Sequence, residues 1–277
     1  MAMSIRTNLA SLNAQRNLGT TQTVLDSSMS RLSSGFRITK AGDDAAGLGI
    51  STKLEAQIRS YAQATRNAND GLSVIQSTES ALNETASILT RLRELAMQSA
   101  SDGIGNTERG YVQQEASALV DELERIAQVT EYNGTKLLVG GSSLDFQVGI
   151  ANTSSDVITF SAVNATTSTG SGLGVTGLSL AAKTTASAAL QTIDDALAKV
   201  SNARASLGAA GNRLEAAIRN INTFSESLSA ANSRIKDVDV AEETSRMARA
   251  QILSQAGVSV LAQANQQPQL ALKLLGG

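Results

Sequence analysis

The residues able to carry chemistry in this 277-residue chain are carboxylates, lysines, arginines and hydroxyls, because it contains no histidine and no cysteine. A Ser-His-Asp or Cys-His nucleophile, a histidine-based zinc site and a disulfide are all excluded. Two charged stretches stand out. RLSSGFRITKAGDDAAGLGIS (31–51) sets Arg37 and Lys40 against Asp43 and Asp44, across a joint where one helix-like run stops at Gly35 and another begins. DVDVAEE (237–243) gathers Asp237, Asp239 and Glu242 in the manner of an oxygen-ligand site, but lacks the glycine and ligand spacing of a calcium loop. Asp237 and Asp239 read better as helix caps or salt-bridge partners. No acidic pair stands apart from the helical charge pattern as a general acid and base. The expectation is no metal, no cofactor, no catalytic residue and no enzymatic activity.

Composition narrows the field further. Hydrophobic residues make up 42% of the chain, yet aromatics only 3%, with one proline and no tryptophan. Aliphatic side chains spread along an Ala-, Ser- and Asn-rich sequence suit long helices packed side by side over a thin core. A net charge of -2 and a pI near 5.4 argue against nucleic-acid binding. No apolar run reaches membrane-spanning length, so no membrane insertion is expected. MAMSIRTNLASLNAQRNL lacks the apolar core of a signal peptide, so export would need another route.

These residues must be positioned by helices. From Leu54 and Ile58 to Ala96, steps of four and three pass through Leu72, Ile75, Glu79, Leu82, Ala86, Leu89 and Arg93, a coiled-coil-type seam over six heptads. A second seam of equal length runs from Ile193 through Val200, Leu207, Leu214 and Ile221 to Ile235. Val112, Ala116, Leu119, Leu123 and Ile126 supply a third helix after the breaker SASDGIGNT. Between them, LDFQVGI (144–150) and VITFSAV (157–163) alternate with strand period and predict a β-hairpin, followed by a mobile Thr-, Ser- and Gly-rich loop. The terminal segments carry shorter seams: Leu18, Leu25, Met29, Leu32 and Phe36, with Ile5, Leu9 and Leu12 upstream, and Ala250, Leu253, Gly257, Val260 and Ala264 near the other end. The fold class is mainly α, a long antiparallel helical bundle or coiled coil with a small β-hairpin insertion, its terminal helices stable only when paired together or against neighbouring subunits. The expected domains are 1–43 with 236–277, and 44–235 with its hairpin and loop at about 140–180.

The ends of the chain resemble a known family. SIRTNLASLNAQRNL, RLSSGFRITKAGDDAAGLGIS, LTRLRELAMQSA and EYNGTKLL match the N-terminal region of bacterial flagellin, and SRIKDVDVAEETSRMARAQILSQAGVSVLAQANQQPQLALKLL its C-terminal region. The resemblance implies a structural subunit that polymerises into the flagellar filament for motility, secreted through the flagellar type III machinery. It also implies that the two termini pair as a coiled coil and that the charged stretches are connectors among subunits. Arg37, Lys40, Asp43, Asp44, Asp237, Asp239 and Glu242 are then subunit-interface candidates. Gly35 would cap the end of the terminal helix, and Asp43 or Asp44 the start of the next.

The same resemblance brings partners: other copies of the chain, an export chaperone, and the filament cap and hook-junction proteins. RLREL (91–95), with Glu115 on the following helix, resembles the segment engaged by the flagellin-sensing innate immune receptor, which makes Arg91, Leu95 and Glu115 recognition candidates. Thr90 and Leu119 stand where the family often has a glutamine and a basic residue. The rival readings are a hook–filament junction protein and a secreted coiled-coil adhesin.

Overall fold

Heptad-spaced aliphatic and small residues build five helices: α1 (Leu9–Ser34), α2 (Ala45–Ala100), α3 (Asn106–Val129), α4 (Lys183–Lys236) and α5 (Val240–Leu275). The computed structural model describes residues 7–275. They divide into two units. One takes the chain up to Ala56 and from Ser227 onward, and the other is Gln57–Glu226. The division falls within α2 and α4, about thirteen residues past the first expected boundary and about nine before the second, because both helices continue through it without a break.

In the second unit α2 and α4 run antiparallel, as shown by Tyr61 stacked on Phe224, Glu79 beside Arg204 and Arg93 bonded to Asp194. The buried row of α2 is Ala64, Ala68, Gly71, Ile75, Thr78, Leu82, Thr85, Leu89, Leu92, Ala96 and Ser99. It shares every second position with the seam expected from the sequence, but the intervening positions lie one residue earlier. Glu79 and Arg93 are exposed, while Thr78 and Leu92 are fully buried. Apolarity favoured Leu72 and Ala86 over Gly71 and Thr85, but backbone geometry decides otherwise. Buried threonine is tolerated because the hydroxyls of Thr78 and Thr85 donate to the carbonyls of Val74 and Ala81 in their own helix. Gly71 has a packing role: a Cβ there would lie 3.0 Å from the Phe146 ring and 3.2 Å from Leu214. Arg109 staples the reversal after α2, its buried guanidinium donating to the carbonyls of Ser99 and Ser101 and to Asn106.

Strands β3 (Ser143–Gln147) and β4 (Val157–Ser161) form the expected antiparallel hairpin, with Leu144 opposite Phe160 and Phe146 opposite Ile158. It is shorter than the alternation predicts, and Ile150 is exposed in the turn, which closes through a 3-10 turn at Ser154–Asp156. A second, smaller hairpin, β1 (Glu131–Tyr132) with β2 (Thr135–Lys136), turns on Asn133 and Gly134, both at positive φ. Asn-Gly is the residue pair such a turn favours. The loop after β4 is not the mobile segment expected. Ala165, Leu173 and Val175 are buried, Glu124 accepts hydrogen bonds from the backbone and hydroxyl of Thr167, and Gln113 binds the backbone of Leu178 and Leu180. A Thr/Ser/Gly composition signals a lack of regular structure, and here side chains of α3 supply the anchoring instead.

The corrected seam is testable by urea unfolding followed through the helical circular dichroism signal. Leu92→Ala is expected to remove about 2–5 kcal/mol, as for a well-packed buried leucine. Thr78→Val deletes a hydroxyl bonded only within its own helix and should change stability by less than about 1 kcal/mol. A Leu72→Ala loss as large as that of Leu92→Ala would favour the other seam.

Candidate functional site

The charged joints lie in the first unit and are knitted to each other. Gly35 ends α1 in the left-handed conformation at φ 75°, its N–H donating to Arg31 O at 2.9 Å. The chain then pairs with the end of α4: Arg37 N–H donates to Lys236 O at 2.6 Å, and Val238 N–H to Gly35 O at 3.0 Å. The exposed Arg37 guanidinium donates to the carbonyl of Ile235 at 2.7 Å, where the negative end of the α4 dipole favours it. Lys236 lies 4.5 Å over the Phe36 ring and 2.5 Å from Glu55.

The aspartates divide the capping work. Asp44 caps α2 by accepting the Gly47 N–H at 2.8 Å, and a Cβ on Gly47 would collide with that carboxylate. Asp43 holds the loop before it, accepting from the N–H groups of Thr39 and Lys40, with Arg31 at 3.7 Å. Asp239 caps α5 through the N–H groups of Ala241 and Glu242, and Asp237 accepts from the Ser233 hydroxyl. Glu242 pairs with Arg246 one turn along, and the Lys40 ammonium has no partner among the described residues. A cleft of about 440 Å³ opens between the joints, with Arg31, Arg234 and Arg246 facing Asp43, Asp237 and Glu242.

The joints deliver α1 antiparallel onto α5. The contact row of α1 is Ser11, Ala14, Leu18, Thr21, Leu25, Ser28 and Leu32, and that of α5 is Glu243, Met247, Ala250, Ser254, Gly257, Leu261 and Ala264. Leu25, Leu32, Gly257 and Ala264 fall on it as the spacing predicts. Met29, Leu253 and Val260 do not, being 58%, 53% and 55% exposed. The reason is the one seen in α2: helix geometry gives the contact position to the adjacent residue, Ser28 beside Met29, Ser254 beside Leu253 and Leu261 beside Val260, whatever its polarity. Leu9 and Leu12 are also exposed, and Ile5 lies outside the described residues. Sequence reasoning missed Ser28 and Glu243, whose side chains meet at 2.5 Å inside the pair. The signal was available, since Glu243 stands one heptad before Ala250.

In the second unit Arg91 binds Glu115 of α3 at 2.8 Å and Glu94 at 2.9 Å, all three half-exposed. Leu95 is only 1% exposed and part of the core, so it presents nothing to a partner directly.

Comparison with known proteins agrees with this architecture. Residues 5–143 match the bacterial flagellin N-terminal helical region and residues 190–275 the bacterial flagellin C-terminal helical region. The chain belongs to the bacterial flagellin family. A flagellin of Halalkalibacterium halodurans is 45% identical over 99% of this chain and 100% of its own. The crystal structure of Bacillus cereus flagellin covers 56% of this chain and 88% of its own at 28% identity, with a TM-score of 0.50. A putative flagellar hook-associated protein of Vibrio parahaemolyticus, 16% identical over 70% of this chain and 100% of its own with a TM-score of 0.59, shares the fold alone. As a flagellin the chain is a structural subunit of the flagellar filament, one that assembles with copies of itself.

The pH response of this flagellin follows from its carboxylates. Backbone N–H groups of Lys40 and Thr39 hold Asp43 below its ordinary value. Lys183 does the same for Asp102, Arg125 for Glu122, Gln128 and then Thr167 for Glu124, and Arg93 for Asp194. A depressed pKa contributes stability that is complete above the unfolded value and is lost as pH falls through the folded one. With no histidine present, the thermal midpoint should therefore stay level between about pH 8 and 5.5 and fall only below about pH 4. Circular dichroism melts across that range check this, and a drop centred near pH 6 would refute it.

Proposed function

We propose that this flagellin is exported by the flagellar type III machinery with the help of a chaperone, and that it builds the filament through the surfaces α1 and α5 leave uncovered. One observation carries the reading. Beyond its contact row, α5 exposes Ile252, Leu253, Val258 and Val260 on its remaining sides, and α1 exposes Leu9, Leu12, Val24 and Met29. Apolar side chains interspersed on the sides of α5 that α1 leaves uncovered gain from being buried by a partner. Further copies are the covering partner that a self-assembling subunit supplies. The joint residues Lys40, Asp43, Asp237 and Glu242 offer charges to neighbours at the same end, and the filament cap and hook-junction proteins meet the same helices. Its role is mechanical rather than catalytic.

Recognition by the flagellin-sensing innate immune receptor is part of the proposal. Arg91 and Glu115 present charge on adjacent helices, and buried Leu95 supports the surface from below.

Two measurements test these readings. Ile252→Asp combined with Val260→Asp places charge on two uncovered sides of α5, and should abolish sedimentable filaments while the free chain keeps its helical signal. Filaments of normal length from that variant would refute the assembly surface. Arg91→Ala or Glu115→Ala should each weaken receptor activation in reporter cells by about tenfold, as expected when a charge-assisted hydrogen bond is lost. An unchanged response would confine that pair to a structural role.

A further inference from the structure

Covalent change without an enzyme needs a nucleophile and an electrophile already held side by side. An asparagine or aspartate followed by glycine supplies both, since the next backbone nitrogen can attack the side-chain carbonyl carbon and glycine has no Cβ to obstruct it. Three such pairs occur in the chain: Asp70-Gly71, Asp102-Gly103 and Asn133-Gly134.

The structure separates them. Gly71 lies in the middle of α2, where its N–H is committed to the helix ladder. Asp102 is paired with Lys183 at 2.6 Å, which keeps it an ionised and poor electrophile, and the Gly103 N–H donates to Ser101 Oγ at 3.2 Å. Asn133 and Gly134 are both exposed. Neither the Asn133 side chain nor the Gly134 N–H makes a hydrogen bond among the described residues. Positive φ, 48° and 78°, sets the two at the corner of a hairpin whose strand pairs are Tyr132 with Thr135 and Glu131 with Lys136, so the ladder asks nothing of the corner amide.

We propose that Asn133 is a site of spontaneous deamidation, the one of the three pairs that the fold leaves open, and that the isoaspartate it yields unfastens the β1–β2 hairpin. The Gly134 nitrogen gives its proton to hydroxide and bonds to Asn133 Cγ. The Cγ–Nδ2 bond breaks, and that nitrogen takes a proton from water and leaves as ammonia. A cyclic imide remains, and water opens it. Cleavage between Cγ and the Gly134 nitrogen gives an aspartate. Cleavage between the Asn133 backbone carbonyl carbon and the same nitrogen gives isoaspartate, with the main chain rerouted through the side chain. Either product adds a negative charge to a chain whose net charge is -2.

Isoaspartate lengthens the main chain inside a turn that has no residue to spare. The Glu131–Lys136 pair, bonded across the strands at 2.5 Å, would lose its register. Directly beyond it Leu137 and Leu138 are sealed in the core, and the Leu137 N–H donates to Thr130 O at 3.1 Å. The hairpin therefore sets where two core leucines enter. The change acts within the second unit and stands independently of assembly, export and the receptor.

The full chain is incubated warm in mildly alkaline buffer, natively and in urea, and its peptides are mapped by mass spectrometry with an isoaspartate methyltransferase assay. The native chain should convert Asn133 at no less than about a tenth of its rate in urea, and at least about tenfold faster than any other asparagine. Asn133→Gly, which keeps a pair that favours the same turn, should abolish ammonia release from the native chain. Isoaspartate-bearing chain, separated by its added charge, should unfold at lower urea concentration than fresh chain. Asn133→Asp carries the charge without the longer main chain and should unfold with the fresh chain. Conversion of Asn133 in urea but not in the native chain overturns the proposal, because the turn would then protect the amide. Native conversion that begins at another asparagine overturns it as well. An isoaspartate-bearing chain as stable as fresh chain, or an equal loss in Asn133→Asp, overturns the effect on the hairpin.

Discussion

Everything in the first unit depends on how little side chain separates α1 from α5. Ala14, Ala250, Gly257 and Ala264 let the two backbones approach closely, but each such position removes little apolar area from water. A pair built this way has weak cohesion of its own. It makes up the difference with polar links and with apolar side chains left facing outward, which gain only when something else covers them. Interior weakness and exterior stickiness are thus two sides of one allocation of side-chain volume. A seam filled with Leu and Ile would have made a self-sufficient hairpin, with less to offer its neighbours.

The second unit follows the opposite allocation. Its core contains Leu82, Leu89, Leu92, Leu123, Leu137, Leu138 and Leu214, all essentially sealed from water, and draws in one face of the β3–β4 hairpin. Arg204 Nε apart, polar groups inside it are partnered among the described residues: threonine hydroxyls turn back onto their own helix, and Arg109 directs donors at the α2 carboxyl end. The two units therefore differ in closure: the second seals its apolar side chains within its own chain, while the first leaves Ile252, Leu253, Val258 and Val260 exposed.

Much of this was legible in the sequence. Five helices, the hairpin, the left-handed Gly35 and the aspartate that starts α2 all follow from spacing and capping chemistry. The failures share a cause. Counting apolar residues places Leu72, Met29, Leu253 and Val260 on contact rows, yet position on the helix assigns those rows to Gly71, Ser28, Ser254 and Leu261. In a chain where small and polar residues make the closest contacts, hydrophobicity marks the wrong neighbour about as readily as the right one. Asn133-Gly134 was a different omission: the hairpin turn is written in the residue types, and the run around it reads first as a family motif. The anchored loop at 164–180 was not legible at all, because its order comes in part from side chains distant along the chain, Gln113, Glu124, Lys199 and Ser99 among them.

That anchoring has a consequence for where the chain can lengthen. Residues 164–180 have side chains seated in the core and backbone bonded to α3, so added residues there would pull on the bundle. The β3–β4 turn is different: Ala151, Asn152 and Thr153 are exposed, and the strands on either side are held in register by their own ladder. A peptide or small folded module spliced in at Asn152 would leave from a closed two-stranded stem and leave the helices undisturbed. The turn is the natural grafting point of the subunit, and each copy in a filament would carry one such graft.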